Sequence, residues 1–421
     1  MRLNALNGHL GRCLPVLNYK VEIGFEKLTS LGSFFTLDDA TKGVLNNATY
    51  TLGGGGFFYD VTSYIKEFSV SRGKSRELDR YTAGGASVVF DNTQRVFDPT
   101  YTASPFYGEI VPRRKLRISV EGLYVFVGVI DDWNLAYSPG GRSEAEANAV
   151  DAFSVLSNLI LSTDSYSAEL SSTRIQNILD DPQVSWPTED RAISIGDSIL
   201  AAETIAENTN ALTYLQSIET SEPGQLFIGR DGSLNFYARN EETALTSVVF
   251  ADDGSGIEYT NLEVTYGSEL LYNEVTANSP LLSLSATASD ADSQSSYGLS
   301  SLNVDTLLNS ASELSNYATY LVGQYADPEY RFEALEVNLL TQSDTVRDTL
   351  LGLELGQVVE VIFTPNGLPP AIQKYARIVG VQHSVGVSTY KIVLKFATVE
   401  SLAFTLDSPA LGRLDVNKLA W

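Results

Sequence analysis

The apolar residues of this chain fall in short alternating runs near its two ends, and at helical spacing mainly in between. YVFVGVI (124–130) and VVEVIF (358–363) are about strand length. Neither approaches the roughly 20 apolar residues that a membrane span needs. ASVVFDN (86–92), LRISV (116–120), FEALEVNLL (332–340), ARIVGVQHSVG (376–386) and YKIVLKFATV (390–399) read as further strands. Hydrophobic residues make up 43% of the 421 positions and charged residues 19%. That composition builds real cores, and at roughly 100–200 residues each the length suits about two to four domains.

Between residues 145 and 245 the period changes. Val150, Phe153, Leu156, Leu159 and Ile160 keep helical spacing, and RIQNILDDPQ (174–183) reads as a second helix stopped by Pro182. Asp197 or Ser198 is placed to N-cap a long helix over 199–218. GQLFIGRDGSLNFYAR (224–239) predicts a hairpin with a type I′ turn at Asp231-Gly232. Further on, SLSATASDADSQSSYGLS (283–300) reads as an exposed, mobile loop. Leu307, Leu308, Ala311, Leu314, Ala318, Leu321, Val322 and Tyr325 predict a helix over 306–325, starting at Asp305 or Thr306 and ending before Pro328.

Residues 1–50 say less. VEIGF (21–25) alternates like a strand, turns are expected at Asp38-Asp39 and Asn46-Asn47, and Gly53 to Gly56 make a flexible break. MRLNALNGHLGRCLPVL is too polar for a signal peptide. The resulting division is an N-terminal extension with hairpins (1–56), a first β-domain (57–145), an α+β insert (146–245), a second β-domain with a helix (246–400) and a tail (401–421). The fold class is mainly β with an α+β insert. The two β regions share a pattern, since LRISV followed by YVFVGVIDDWNL parallels VVEVIF followed by YARIVGVQHSV. The match sets Val127-Gly128-Val129 against Val379-Gly380-Val381.

Reactive chemistry finds few residues to work with. A lone cysteine, Cys13, excludes an internal disulfide, and two histidines, His9 and His383, argue against a histidine-based zinc or catalytic centre. Gly73-Lys74-Ser75 matches the end of a phosphate-binding loop, but Phe68 stands where that loop needs glycine. Gly196-Asp197-Ser198 resembles an esterase nucleophile motif without a placed histidine, and a helix cap explains it better. Asp252-Asp253-Gly254-Ser255 and Asp290-Ala291-Asp292 lack full calcium-loop spacing and read as polar turns. A glycosidase carboxylate pair is not singled out among the 52 acidic residues. No catalytic, cofactor-binding or metal-ligating residue is expected.

Charge is lopsided. Residues 1–120 carry 15 basic and 11 acidic side chains, and the remainder carry 13 and 41, for a net charge of −24. Such a surface repels phosphate backbones, which disfavours nucleic-acid binding and suits a wall that DNA passes without sticking. Arg113, Arg114, Lys115 and Arg117 form the one dense basic stretch, a candidate contact with an acidic neighbour.

Residues 57–120 also carry a specific string. Its elements are Arg72-Gly73, Ser75-Arg76-Glu77-Leu78-Asp79, Ala83-Gly84, Asp91-Asn92, Arg95, Phe97-Asp98-Pro99 and Ser104-Pro105. This resembles the minor tail proteins encoded just after the tape measure in long-tailed phages of actinobacteria. The hairpin LFIGRDGSLNFYAR and the segment from Tyr297-Gly298 to Leu355-Gly356-Gln357-Val358-Val359 fit the same family. The resemblance implies a tail-tip or baseplate hub, similar to contractile-phage hubs and the N-terminal region of tail-associated lysins. It implies that the two β-domains are of tube type, and that three chains present six similar domains in a ring. Expected partners are the chain itself as a homotrimer, the distal tail or tail tube protein, the tape measure protein and a central spike or fibre. DNA passes without specific binding, and the location is the virion tail tip. A non-enzymatic, structural role follows. The alternatives are a sixfold distal-tail adaptor, which would lack helices at 197–218 and 306–325, and a tail-associated cell-wall hydrolase.

Overall fold

A computed structural model describes residues 17–25, 57–239 and 245–399. The turns expected at 38–39 and 46–47, the Gly53–Gly56 break and the tail 401–421 lie outside the described residues. The alternating segments assemble one 13-stranded sheet. Its first seven strands are β1 (Tyr19–Phe25), β2 (Phe57–Asp60), β3 (Ile65–Gly73), β4 (Thr82–Asp91), β5 (Lys115–Val120), β6 (Leu123–Tyr137) and β7 (Ser143–Val150). The last six are β8 (Leu245–Ala251), β9 (Asn261–Tyr266), β10 (Tyr330–Asn338), β11 (Val358–Phe363), β12 (Ile372–Gly386) and β13 (Thr389–Val399). Neighbours run β9-β10-β13-β12-β3-β4-β7-β6-β5-β1-β2, with β11 also paired to β12 and β8 parallel to β11.

One five-strand order occurs twice. It is β3-β4-β7-β6-β5 in the first unit and β9-β10-β13-β12-β11 in the second, with every neighbouring pair antiparallel. Strands β5 and β11 have 6 residues each, and β6 and β12 have 15 each. Both long strands bulge at mid-length, between Ile130 and Asp132 and between Ile378 and Gly380. A bulge adds one residue to one strand and bends it there. The bulges therefore equate Asp131 with Val379, and the Val-Gly-Val match made from sequence is displaced along the strand. The two glycines answer to different neighbours. A Cβ on Gly128 would lie 2.3 Å from the Val150 carbonyl oxygen, and one on Gly380 would lie 2.7 Å from that of Lys74.

The units join edge to edge. The second half of β12 pairs with β3, from Gly380 opposite Gly73 to Val385 opposite Phe68. Phe68, Val70, Val381 and Val385 bury their side chains along this seam.

The segment after β7 carries α1 (Ala152–Leu156), α2 (Ser171–Asp180) and α3 (Ala211–Ser221). Both short helices expected near 150–160 and 174–183 form, and α2 ends before Pro182. The long helix expected over 199–218 does not. Its first half is extended, with Ile199–Leu200 paired to Glu169–Leu170 and Glu203–Thr204 paired to Ser165–Tyr166. Leu200, Ala201 and Ile205 are buried there, and tertiary packing overrides helix propensity. Asn208 takes a positive φ of 64°, and Asn210 then caps α3 by accepting from the Thr213 N–H. The hairpin Gln225–Ile228 with Leu234–Tyr237 forms as expected. Its loop has five residues, Gly229–Ser233, and only Gly232 has positive φ, so the two-residue type I′ turn is replaced.

Between β9 and β10 lies a second insertion. Its strands Glu274–Ser279, Leu284–Ser289 and Ser301–Asp305 form a three-stranded sheet, and α4 (Ala291–Tyr297) follows the second strand. The mobile loop expected over 283–300 is thus ordered structure. Asp290 caps α4 by accepting from Ser293 N–H, and buried Asn273 donates to the Gly298 carbonyl. Helix α5 (Ala311–Tyr325) packs on this sheet and completes a core of its own with Val275, Ala277, Leu314, Ala318 and Leu321. It starts at Ser310 rather than at 305–306, because Leu307 and Leu308 are extended and bond the 200–201 segment. Helix α6 (Asp344–Gly352) connects β10 to β11. Among the described residues no helix is long and apolar enough to cross a membrane.

Candidate functional site

The string at 72–84 sits where the two units and the first insertion meet. Arg72 is buried at the end of β3, and its Nη1 donates to Glu354 Oε1 at 2.7 Å. The other oxygen of Glu354 accepts from the Arg230 N–H in the hairpin loop at 2.9 Å, and Oε1 also accepts from Leu355 N–H. One carboxylate thus ties the first unit, the insertion and the second unit together. Gly73 has φ +95°, and a Cβ there would lie 2.2 Å from the Val379 carbonyl oxygen. That oxygen accepts from Lys74 N–H, which locks the crossing at the β12 bulge.

Beyond Gly73 the chain makes further ties. The Lys74 ammonium lies 4.9 Å from the centre of the Tyr81 ring, and burial lowers its pKa against the pull of Glu219, Glu77 and Asp79. Burial pushes the Glu219 carboxyl, on α3, up to about 7, opposed by Lys74. Glu77 accepts from Arg331 at 2.9 Å and from the Tyr325 hydroxyl at 3.1 Å, which anchors the loop to β10 and α5. Arg76 reaches Glu269 at 2.8 Å on an exposed surface, where such a pair contributes about 1 kcal/mol at most. Gly84 N–H donates to Asp151 Oδ2 at 2.6 Å, and the same carboxylate caps α1 through Phe153 N–H. Burial pushes Asp151 up to about 7 despite these donors. Ser71 to Ser75, Thr82, Ala83, Gly85, Gln382 and Lys395 line a cleft of about 140 Å³ over the seam.

The rest of the string folds the loop 92–114. Buried Asn92 accepts from Phe97 N–H, and Asp98 accepts from Arg95, from Thr100 and from the Tyr137 hydroxyl at 2.9 Å. Ser104 Oγ donates to the Val96 carbonyl and accepts from Phe106 N–H. Phe90, Phe97, Phe106 and Trp133 stack beneath it. Arg114 pairs with Glu109, and Arg117 pairs with Glu22 and lies 3.6 Å from the centre of the Phe58 ring. Of the basic stretch, only Arg113 and Lys115 are exposed.

The chemical motifs are structural, but Asp197 and Ser198 cap no helix, because the chain after them is extended. Ser198 is buried and donates its N–H to Glu222, which also accepts from Asp197 N–H and Ser171 Oγ. His383 is buried in β12, bonded to the Tyr390 hydroxyl at 3.0 Å, and burial lowers its pKa to about 3. Asp253 accepts from Ser255, and Asp252 from Thr364. No group of three or more metal-ligating side chains occurs among the described residues. Half-buried Glu354, the buried acids Asp151, Glu219 and Glu222 and fully buried Arg174 carry no motif and were missed in the sequence. Arg174 pairs with Glu169 and donates to the Tyr214 hydroxyl at 2.7 Å.

This constellation ties two sheet units and the insertion together, and solved structures with a similar overall fold exist. The tail protein from Neisseria meningitidis superimposes with a TM-score of 0.60 at 12% identity, covering 91% of this chain and 97% of that one. The fold is shared with this tail protein. A second tail protein, the 43 kDa one of prophage MuSo2 from Shewanella oneidensis, gives 0.56 at 11% identity, covering 82% of this chain and 94% of that one. The VgrG-containing PdpA complex of Francisella gives 0.50 at 9% identity, covering 92% of this chain and 53% of that one. No family model and no curated protein matches the chain.

Proposed function

We propose that this chain is a structural component of a long-tailed phage tail tip, a hub in which three copies form a ring between the tail tube and a central spike or fibre. The observation that carries the reading is the doubled five-strand unit, set in a fold shared with tail proteins along nearly the whole chain. Two equivalent units per chain let three chains meet a sixfold tube above and a threefold spike below. Three copies carry a formal net charge of −72, three times −24. Carboxylates on a lumen wall repel the DNA backbone, so the genome slides through. The distal tail, tape measure and spike proteins are its neighbours in the virion, and the role is structural rather than enzymatic. The doubled unit and helices α3 and α5 support this reading over a sixfold distal-tail adaptor. The experiment is native mass measurement of the purified chain together with imaging of the particle. A threefold ring at the tail tip is expected, and a sixfold ring or clearing of host cell walls by the purified chain would overturn it.

A further inference from the structure

The seam inside the chain has an unfilled counterpart at each end of the sheet. Within the chain, β3 lies on the second half of β12, beyond the point where β11 stops pairing. In the first unit β6 corresponds to β12, and β5 stops pairing with it at Val129. From Asp132 to Tyr137, β6 has β7 as its ladder partner among the described residues. In the second unit β9 corresponds to β3, and its ladder partner among the described residues is β10 alone. At equivalent positions the seam buries more: Gly380, Val381, His383 and Val385 of β12 are buried, whereas their counterparts in β6 are exposed at Asp132 and Tyr137 and half-buried at Trp133 and Leu135.

We propose that β9 of one copy adds, antiparallel, to residues Asp132–Tyr137 of β6 in the next copy, repeating between chains the joint that β3 and β12 make within one. The occupant is a second copy because the chain itself shows both halves of the joint already engaged once. The register follows from the ladders. Val385 opposite Phe68 transfers to Tyr137 opposite Leu262, Ser384 opposite Ser69 transfers to Ala136 opposite Glu263, Val381 opposite Arg72 transfers to Trp133 opposite Tyr266, and Gly380 opposite Gly73 transfers to Asp132 opposite Gly267. No like charges face each other in these pairs, and the Trp133–Tyr266 and Tyr137–Leu262 pairs suit a cross-strand ladder. A free strand edge adds another strand through main-chain bonds, and repetition of one joint is head-to-tail, which makes a ring where the rotation between copies closes and a filament where it does not. Only the number of copies rests on the trimeric reading above.

Paired cysteines test the joint. In a chain carrying Cys13→Ser, Ala136→Cys with Glu263→Cys is oxidised and run on a non-reducing gel. Ser69→Cys with Ser384→Cys marks the internal seam and is expected to cross-link within one chain. The expected result is a covalent oligomer for the Ala136/Glu263 pair, with no multimer when Asp132→Cys is combined with Leu262→Cys, at opposite ends of the register. A trimer by mass that forms no Ala136/Glu263 cross-link overturns this joint and leaves the hub reading intact. A chain that stays monomeric and uncross-linked at high concentration overturns both. Tyr266→Lys, an exposed side chain on β9 that would face Trp133 across the joint, is expected to weaken the oligomer while far-ultraviolet circular dichroism stays unchanged. An unchanged oligomer in that variant would count against the joint.

Discussion

Glu354 shows how much one carboxylate holds. It accepts from Arg72, Arg230 and its own loop, and Arg72 has almost no exposed surface. Glu354→Ala leaves a buried guanidinium uncompensated, which costs about 3–5 kcal/mol. Denaturant unfolding should show the midpoint falling accordingly. Asp151 and Glu219 act differently, because burial raises both to about 7. A carboxyl raised above its unfolded value binds its proton more tightly in the folded state. Its contribution is fully present below the unfolded pKa near 4 and is lost as pH rises through about 7. Asp151→Asn removes that dependence, so its melting temperature relative to the parent should rise between pH 5 and pH 8. A difference that stays flat would show that Asp151 is ionised throughout. His383 runs the other way, with stability lost as pH falls below about 6.5.

The elements divide into those written locally and those written by contacts. Strands β4 to β6 and β10 to β13 were legible because one buried face forces a two-residue alternation, whereas β7, whose buried face is only Ser143, Ala145, Ala147 and Ala149, was not. Helix α2 and the 225–237 hairpin were legible for similar local reasons. The stretch 199–210 was not, since its apolar residues fit helical spacing but are claimed by Leu307, Leu308 and the 165–170 strands. The 283–300 segment looked like a loop because its Ser, Ala and Asp residues pack little apolar area. Its strands are instead fixed by Thr276–Thr287 and Asn273 hydrogen bonds. The junction was half legible. The string at 72–84 marked the place, but Glu354 and Asp151 lie far away in sequence and follow no spacing rule. Local signals do predict caps, and Asn210 is a clear one. Asn210→Ala is expected to cost about 1 kcal/mol, read as a shift in unfolding midpoint with an unchanged m-value.

At the scale of the molecule, the doubled unit matters more than any single contact. Strand β12 belongs to the second unit through β11 and β13 and to the first through β3. Neither unit keeps its edge satisfied without it. Calorimetry should therefore record one shared transition for the 13-stranded sheet, while the separate core around α5 is free to melt on its own. Two resolved sheet transitions would mean that the seam contributes little. The same strand has a mechanical consequence. Tension that pulls the units apart within the plane of the sheet meets all six residue pairs between Gly380–Gly73 and Val385–Phe68 together. Such a seam does not unzip bond by bond, and it yields in a single event at high load.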